Sequence, residues 1–213
     1  MRKLLATGFK KKATRILFLA SGRGSNFEKA VEGIRKKKIS AEFLGLLTDN
    51  PKAKAIEIAK SLKIPVSIVA YADFSDKTEY HTAILLKAKE LSPELIVACG
   101  YMRILKPDFV KAFPFQILNI HPSLLPAFPG LDAQKQAIDY GAKVSGCTVH
   151  FVEEGVDTGA IILQKSIEIK PDWGVVELSR AILSEEHKLL PTAIQLFCDN
   201  KLKIKGRKVE ILK

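Results

Sequence analysis

Five short apolar runs alternate with segments of helical spacing, and this alternation constrains the chain more than any other feature. The runs are residues 16–19, 43–47, 66–69, 95–98 and 117–120. Between them, residues 27–37, 50–62, 75–91 and 107–112 have apolar residues at helical intervals or helix-starting prolines. Strand and helix in strict alternation specify a parallel sheet covered by helices on both faces. In such sheets ligands bind outside the carboxyl ends of the strands. Residues at those ends are therefore the first place to look for chemistry.

Three of the strand ends carry polar or glycine-rich signals. After the first run comes Ser21-Gly22-Arg23-Gly24-Ser25-Asn26, followed by a helix with Ala30, Val31 and Ile34 on one face. A glycine turn opening a helix presents free backbone N–H groups and a positive dipole end to an anion. The dinucleotide fingerprint wants a further glycine at position 27, where Phe27 stands. A single phosphate therefore fits better than a dinucleotide, and a tight connection without ligand is the competing reading. After the fourth run comes Cys99-Gly100-Tyr101-Met102-Arg103-Ile104-Leu105. The fifth run contains Asn119 and His121, two residues apart and so on one face of the strand. Pro122, Pro126, Pro129 and Gly130 then forbid a regular element.

The second half reads differently. Residues 132–140 form a short amphipathic helix ended by Gly141. Residues 144–152 alternate as a strand with one polar face, 153–159 make a turn, and 160–169 form a second strand, an antiparallel pair. A long helix over 173–198 should kink or break at Pro191, and 202–212 reads as a hairpin turning at Lys205-Gly206-Arg207. The fold class is thus α/β and Rossmann-like: a mostly parallel central sheet, helices on both faces, and an antiparallel C-terminal portion. Residues 1–14 read as a basic leader and 15–213 as one domain.

The net charge of +11 invites nucleic acid as a partner. Much of the excess sits at the two ends of the chain without interleaved aromatics, so an anionic metabolite ranks well above nucleic acid. No apolar run approaches the roughly 20 residues of a membrane span, and no secretory leader is expected. Cys99, Cys147 and Cys198 are too widely spaced for a metal site or an obvious disulfide framework. A cytoplasmic protein, monomer or homodimer, is expected.

Asp157, in the turn between the two antiparallel strands, completes a coherent set with Asn119 and His121. The imidazole supplies a proton or charge near neutral pH. The amide offers an N–H to a developing oxyanion, and the acid orients the imidazole. Together they suit acyl transfer to an amine without a covalent intermediate. His121, His150 and Asp157 as metal ligands form the rival reading. No paired His or Cys spacing supports it, so no metal is expected. His150 otherwise reads as a packed polar residue.

Asn119-Ile120-His121-Pro122-Ser123-Leu124-Leu125-Pro126, the Gly22–Asn26 turn, Met102-Arg103-Ile104-Leu105 and Gly155-Val156-Asp157-Thr158-Gly159 together resemble the formyltransferase family that uses 10-formyltetrahydrofolate. The resemblance spans residues 15–212. The glycine turn and Phe128-Pro129-Gly130-Leu131 favour the branch that formylates the amine of glycinamide ribonucleotide in purine synthesis.

The resemblance implies Asn119, His121 and Asp157 as catalytic residues. It places the ribonucleotide phosphate on Gly24, Ser25 and Asn26, and the glycinamide end at Glu186. The folate would lie on Met102, Arg103, Ile104 and Leu105, with Arg103 meeting its carboxylates in bidentate fashion. Glu153, Glu154, Gly155, Val156 and Asp157 would meet the pterin. Lys77 stands where the family often has a cofactor-binding arginine; it keeps the charge and loses the fork. The formyl donor is then a co-substrate and no metal is used.

Overall fold

The computed structural model describes residues 12–213. Residues 1–11 of the expected leader lie outside the described residues. The first strand already starts at Thr14, which pairs with Ala41.

Among the described residues, nine strands form one sheet in the order β3-β2-β1-β4-β5-β6-β7-β9-β8. Strands β1 (Thr14–Leu19), β2 (Ala41–Thr48), β3 (Val66–Ile68), β4 (Leu95–Ala98) and β5 (Ile117–His121) are parallel. Strands β6 (Val144–Phe151) and β7 (Ile161–Glu168) add on antiparallel. The hairpin of β8 (Leu202–Lys205) and β9 (Lys208–Ile211) completes the edge. It meets β7 at one parallel pairing, Ile161 with Lys208. The expected sheet, parallel first and antiparallel after, is the sheet observed.

The apolar runs are continuous because the strands are buried on both faces. In β1, Ile16 and Phe18 enter one core and Leu17 and Leu19 the other, all fully buried. The first core lies under α1 (Ser25–Lys36), α2 (Ala55–Ser61) and α6 (Val175–Cys198); α5 (Ala133–Tyr140) joins it through Ala137. The second lies under α3 (Lys77–Leu91) and α4 (Pro107–Ala112). Helix α1 buries Phe27, Val31 and Ile34, and each such side chain contributes about 1.5–3 kcal/mol.

Two expectations need correction. Asn50-Pro51 does not open a helix, because α2 starts at Ala55. The Asn50 carboxamide instead accepts from the Lys52 amide at 2.9 Å and donates to the Ser21 carbonyl at 2.9 Å. These local bonds make a turn that competes with helix. Helix α6 does not break at Pro191; it runs for 24 residues with the proline inside. A proline there costs an isolated helix about 3 kcal/mol. Its buried ring packs on α1 at Gly33, where a Cβ would lie only 2.6 Å from the ring. Tertiary packing thus holds a helix that its local sequence would interrupt. The expected polar face of β6 is present, with Thr148 and His150 on it, and it is buried. Ser145, Thr148 and His150 are buried together with Cys147, Val149 and Phe151, so its polar side chains face other protein groups.

The sheet order places β1 between β2 and β4. The chain winds away from β1 in one direction, then returns to build β4 and β5 on the other side. This reversal is where parallel sheets open a crevice at their carboxyl ends. Register lines up the ends: Leu19 pairs with Ala98, and Ala98 with Asn119. Among the described residues no helix is long and apolar enough to cross a membrane.

Candidate active site

The end of β5 carries Asn119, half-buried, and His121, buried. Antiparallel pairing sets His150 opposite Asn119 and Thr148 opposite His121. The Thr148 hydroxyl organises the loop that follows β5. It donates to the Ser123 carbonyl at 2.7 Å and accepts from the Leu125 amide at 3.1 Å and Gln164 at 3.0 Å. The proline-rich stretch is therefore bolted to β6 and β7 without being a regular element.

Asp157 reaches this strand end from the loop between β6 and β7. Its Oδ2 accepts from the Gly130 amide at 2.8 Å and lies 3.2 Å from His121 Nδ1. Its Oδ1 lies 3.5 Å from both Asn119 Nδ2 and His150 Nε2. The other nitrogen of His121, Nε2, is directed at the Phe128 carbonyl, 2.9 Å away. Burial opposes charge on Asp157, but His150, the Gly130 amide and His121 together hold its carboxyl below the usual value. Burial likewise pushes His121 below the ordinary imidazole value, against the pull of Asp157 and the Phe128 carbonyl.

His150 is more than a packed polar residue. Its Nδ1 faces the Phe151 carbonyl at 2.8 Å, so Nδ1 carries a proton and donates. Its Nε2 lies 3.2 Å from the Asn119 amide and 3.5 Å from Asp157 Oδ1; the neutral ring accepts from the amide, and the protonated ring donates to the carboxylate. The bond from the amide turns the Asn119 NH2 group toward Asp157. The long 3.5 Å contact to Asp157 leaves one amide N–H that can be redirected at modest cost. Sequence reasoning undervalued His150; its place opposite Asn119 follows only from the strand register.

The glycine turn lies at the end of β1. Gly24 has φ 80°, and a Cβ there would sit 2.7 Å from Ala55, so glycine is required on both counts. Helix α1 starts at the next residue, Ser25. Asn26 does not point freely outward, because its Nδ2 donates to Glu186 Oε2 at 2.8 Å. Glu186 is 6% exposed. Burial raises its carboxyl above the usual range, opposed by the Asn26 bond and the charge of Arg23. The structure thus brings Gly24, Ser25, Asn26 and Glu186 into one cluster. The Asn26 Oδ1 atom is buried without a hydrogen-bond partner among the described residues.

The strip after β4 is tied to the same turn. The Met102 amide donates to the Ser21 hydroxyl at 2.9 Å, and the Ser21 amide to the Gly100 carbonyl at 3.1 Å. Met102 and Ile104 expose more than half their surface, while Leu105 packs on the second core. Arg103 is not a free fork. Its Nε donates to the buried Asp49 at 2.7 Å, and its guanidinium stacks 3.9 Å from the Tyr71 ring centre. Lys77 sits over the same ring at 4.1 Å and donates to the Tyr71 and Phe74 carbonyls at 3.2 and 2.6 Å. Arg103 and Lys77 therefore share one aromatic platform. Asp49 and Tyr71 were missed in the sequence, although Asp49 directly follows the buried end of β2.

The remaining loop residues line the edge of the site. Glu154 pairs with Lys111 at 3.5 Å and Val156 is half exposed. Gly155 packs under the Thr158 side chain. Among the described residues no group of three or more His, Cys, Asp or Glu side chains is placed to hold a metal ion.

Residues 14–194 match the model of the formyl transferase family. The chain belongs to that family. This formyltransferase is 42% identical over 176 residues to phosphoribosylglycinamide formyltransferase of Bacillus subtilis, covering 83% of this chain and 90% of that one. It is 38% identical over 188 residues to the human trifunctional purine biosynthetic protein adenosine-3, covering 88% of this chain and 19% of that one. The chain therefore spans about a fifth of the human protein's length. Among solved structures, glycinamide ribonucleotide transformylase 1 of Symbiobacterium toebii superposes with a TM-score of 0.93 at 39% identity, over 100% of both chains.

Proposed function

We propose that this formyltransferase moves the formyl group of 10-formyltetrahydrofolate onto the amine of 5′-phosphoribosylglycinamide. The products are N-formylglycinamide ribonucleotide and tetrahydrofolate, in purine synthesis in the cytoplasm. The observation that carries this reading is the meeting of Asn119, His121 and Asp157 within 3.5 Å at the sheet end. One strand, β4, separates that strand end from the glycine turn after β1, which suits a phosphate. The names of the relatives support glycinamide ribonucleotide as the formyl acceptor.

The amine attacks the formyl carbon, and its C–N bond forms as the carbonyl π bond opens to an oxyanion. Protonated His121 and the redirected Asn119 N–H donate to that oxygen. In doing so the oxyanion competes with the Phe128 carbonyl for the Nε2 proton. Asp157 offsets the cost of the buried imidazolium and keeps Nδ1 protonated. The bond from the formyl carbon to folate N10 then breaks, and the amine proton passes to N10, with Asp157 assisting through water. Gly24 and Ser25 hold the phosphate, while Asn26 and Glu186 act together at the ribonucleotide. Met102, Ile104 and Leu105 supply an apolar floor for the folate. Arg103 offers its two free Nη groups to the folate carboxylates, and Lys77 adds charge beside them. The loop of Glu153, Glu154, Gly155 and Val156 closes the pterin end.

The test is to offer the protein 10-formyltetrahydrofolate with glycinamide ribonucleotide, an amino-sugar nucleotide or initiator tRNA. Formyl transfer to glycinamide ribonucleotide alone is expected, and it should survive a metal chelator. Transfer to either other amine in preference, or loss of activity restored by zinc, would contradict the reading.

A further inference from the structure

The C-terminal hairpin lies beyond the residues that match the family model, which end at 194. It nonetheless touches the loop that carries Asp157. In the turn between β8 and β9, the Arg207 guanidinium donates from Nη2 to the Thr158 carbonyl at 3.1 Å. The Ile161–Lys208 pairing sets this turn beside the start of β7, where the loop rejoins the sheet.

The loop needs such a restraint. Asp157 has φ 52°, a left-handed conformation that a side chain other than glycine adopts at a cost. Its inner side is fixed by glycine contacts: a Cβ on Gly159 would lie 1.8 Å from the Phe151 carbonyl oxygen, and one on Gly155 2.4 Å from Thr158 Oγ1. The Asp157 carboxylate is held by Gly130 and His121. The Thr158 carbonyl, next along the backbone, is held by Arg207. A guanidinium suits this task, because its planar charged donor is preorganised and makes a stronger bond than a neutral group.

We infer that Arg207 is a positioning residue for the formyl-transfer reaction. It braces the Thr158 carbonyl and so holds the Asp157 carboxylate in line with His121 Nδ1. This rests on the role proposed above for Asp157. Arg207 itself touches none of the three strand-end groups.

The experiment compares Arg207→Ala, Arg207→Lys and Asp157→Asn with the unaltered protein. It measures kcat, the KM for glycinamide ribonucleotide and the thermal midpoint. Misplacing a catalytic group by a fraction of an ångström should lower kcat of Arg207→Ala by about 3- to 10-fold. The ribonucleotide KM and the thermal midpoint should stay unchanged, and Arg207→Lys should recover most of the loss. A kcat unchanged in Arg207→Ala would overturn the inference. So would a loss that lysine does not rescue, or one matched by a lower thermal midpoint, since either marks a merely structural role. If Asp157→Asn turns over normally, the role of Asp157 itself fails; if only the Arg207 variants behave as the unaltered protein, this inference alone fails.

Discussion

The parallel half of the sheet and its antiparallel half treat polar groups in opposite ways. In β1, β4 and β5 the buried residues of the strand bodies are apolar; Thr14 and Arg15 open β1 half-buried, and the polar groups of the site gather at the carboxyl ends. In β6 polar side chains sit within the strand itself, buried and facing the ends of β5. The parallel half therefore offers backbone N–H groups and a strand-end amide and imidazole. The antiparallel half offers the groups that orient them: Thr148 for the loop after β5, His150 for Asn119, and Asp157 for His121.

If that division holds, variants in the two halves should fail differently. The largest effect is expected from His121→Ala, where steady-state kinetics should show turnover reduced by about 10²–10³. Gly24→Ala comes next. A left-handed alanine pressed against Ala55 should cost about 2–4 kcal/mol in denaturant unfolding. It should also raise the ribonucleotide KM. Asp49→Asn removes the carboxylate that holds Arg103 Nε, so the folate KM should rise by about 10-fold with kcat little changed. The smallest effect is a pH dependence. Burial raises the Glu186 carboxyl, so the folded protein holds that proton more tightly than the unfolded chain. Stability from this group is full below the unfolded value of about 4.3 and is lost as pH rises through the folded value. Thermal melts of Glu186→Gln should gain relative to the unaltered protein as pH rises from about 4 to 7. Asp157, held low, has the opposite sign: its contribution is present above about 3.9 and is lost on acidification through its folded value.

The same contrast explains what could be read in advance. The parallel half was legible because apolar runs and helical spacing are local patterns, and because strand ends gather wherever they lie in the chain. Asn119 and His121 were visible as a pair for that reason. The antiparallel half hid its content. His150 gains its role from pairing with a strand 31 residues earlier, and its sequence neighbours only suggested a half-polar strand. Asp49 and Tyr71 escaped for a similar reason, because Arg103, which both of them meet, reaches them only across the sheet end. Pro191 misled because local backbone rules cannot see Gly33 on the neighbouring helix. The resemblance implies Asn26 at the phosphate, and the buried Glu186 that its amide meets lies 160 residues away, where no local pattern shows it.

The most direct test of the division is Asp157→Asn, assayed for ribonucleotide affinity by calorimetry and for formyl transfer in a single turnover. The carboxylate that orients His121 is lost, while the glycine turn is untouched. Ribonucleotide affinity should match the unaltered protein, and the transfer rate should fall by about 10² or more. A transfer rate within a few-fold of the unaltered protein would contradict the account, and so would a loss confined to ribonucleotide affinity.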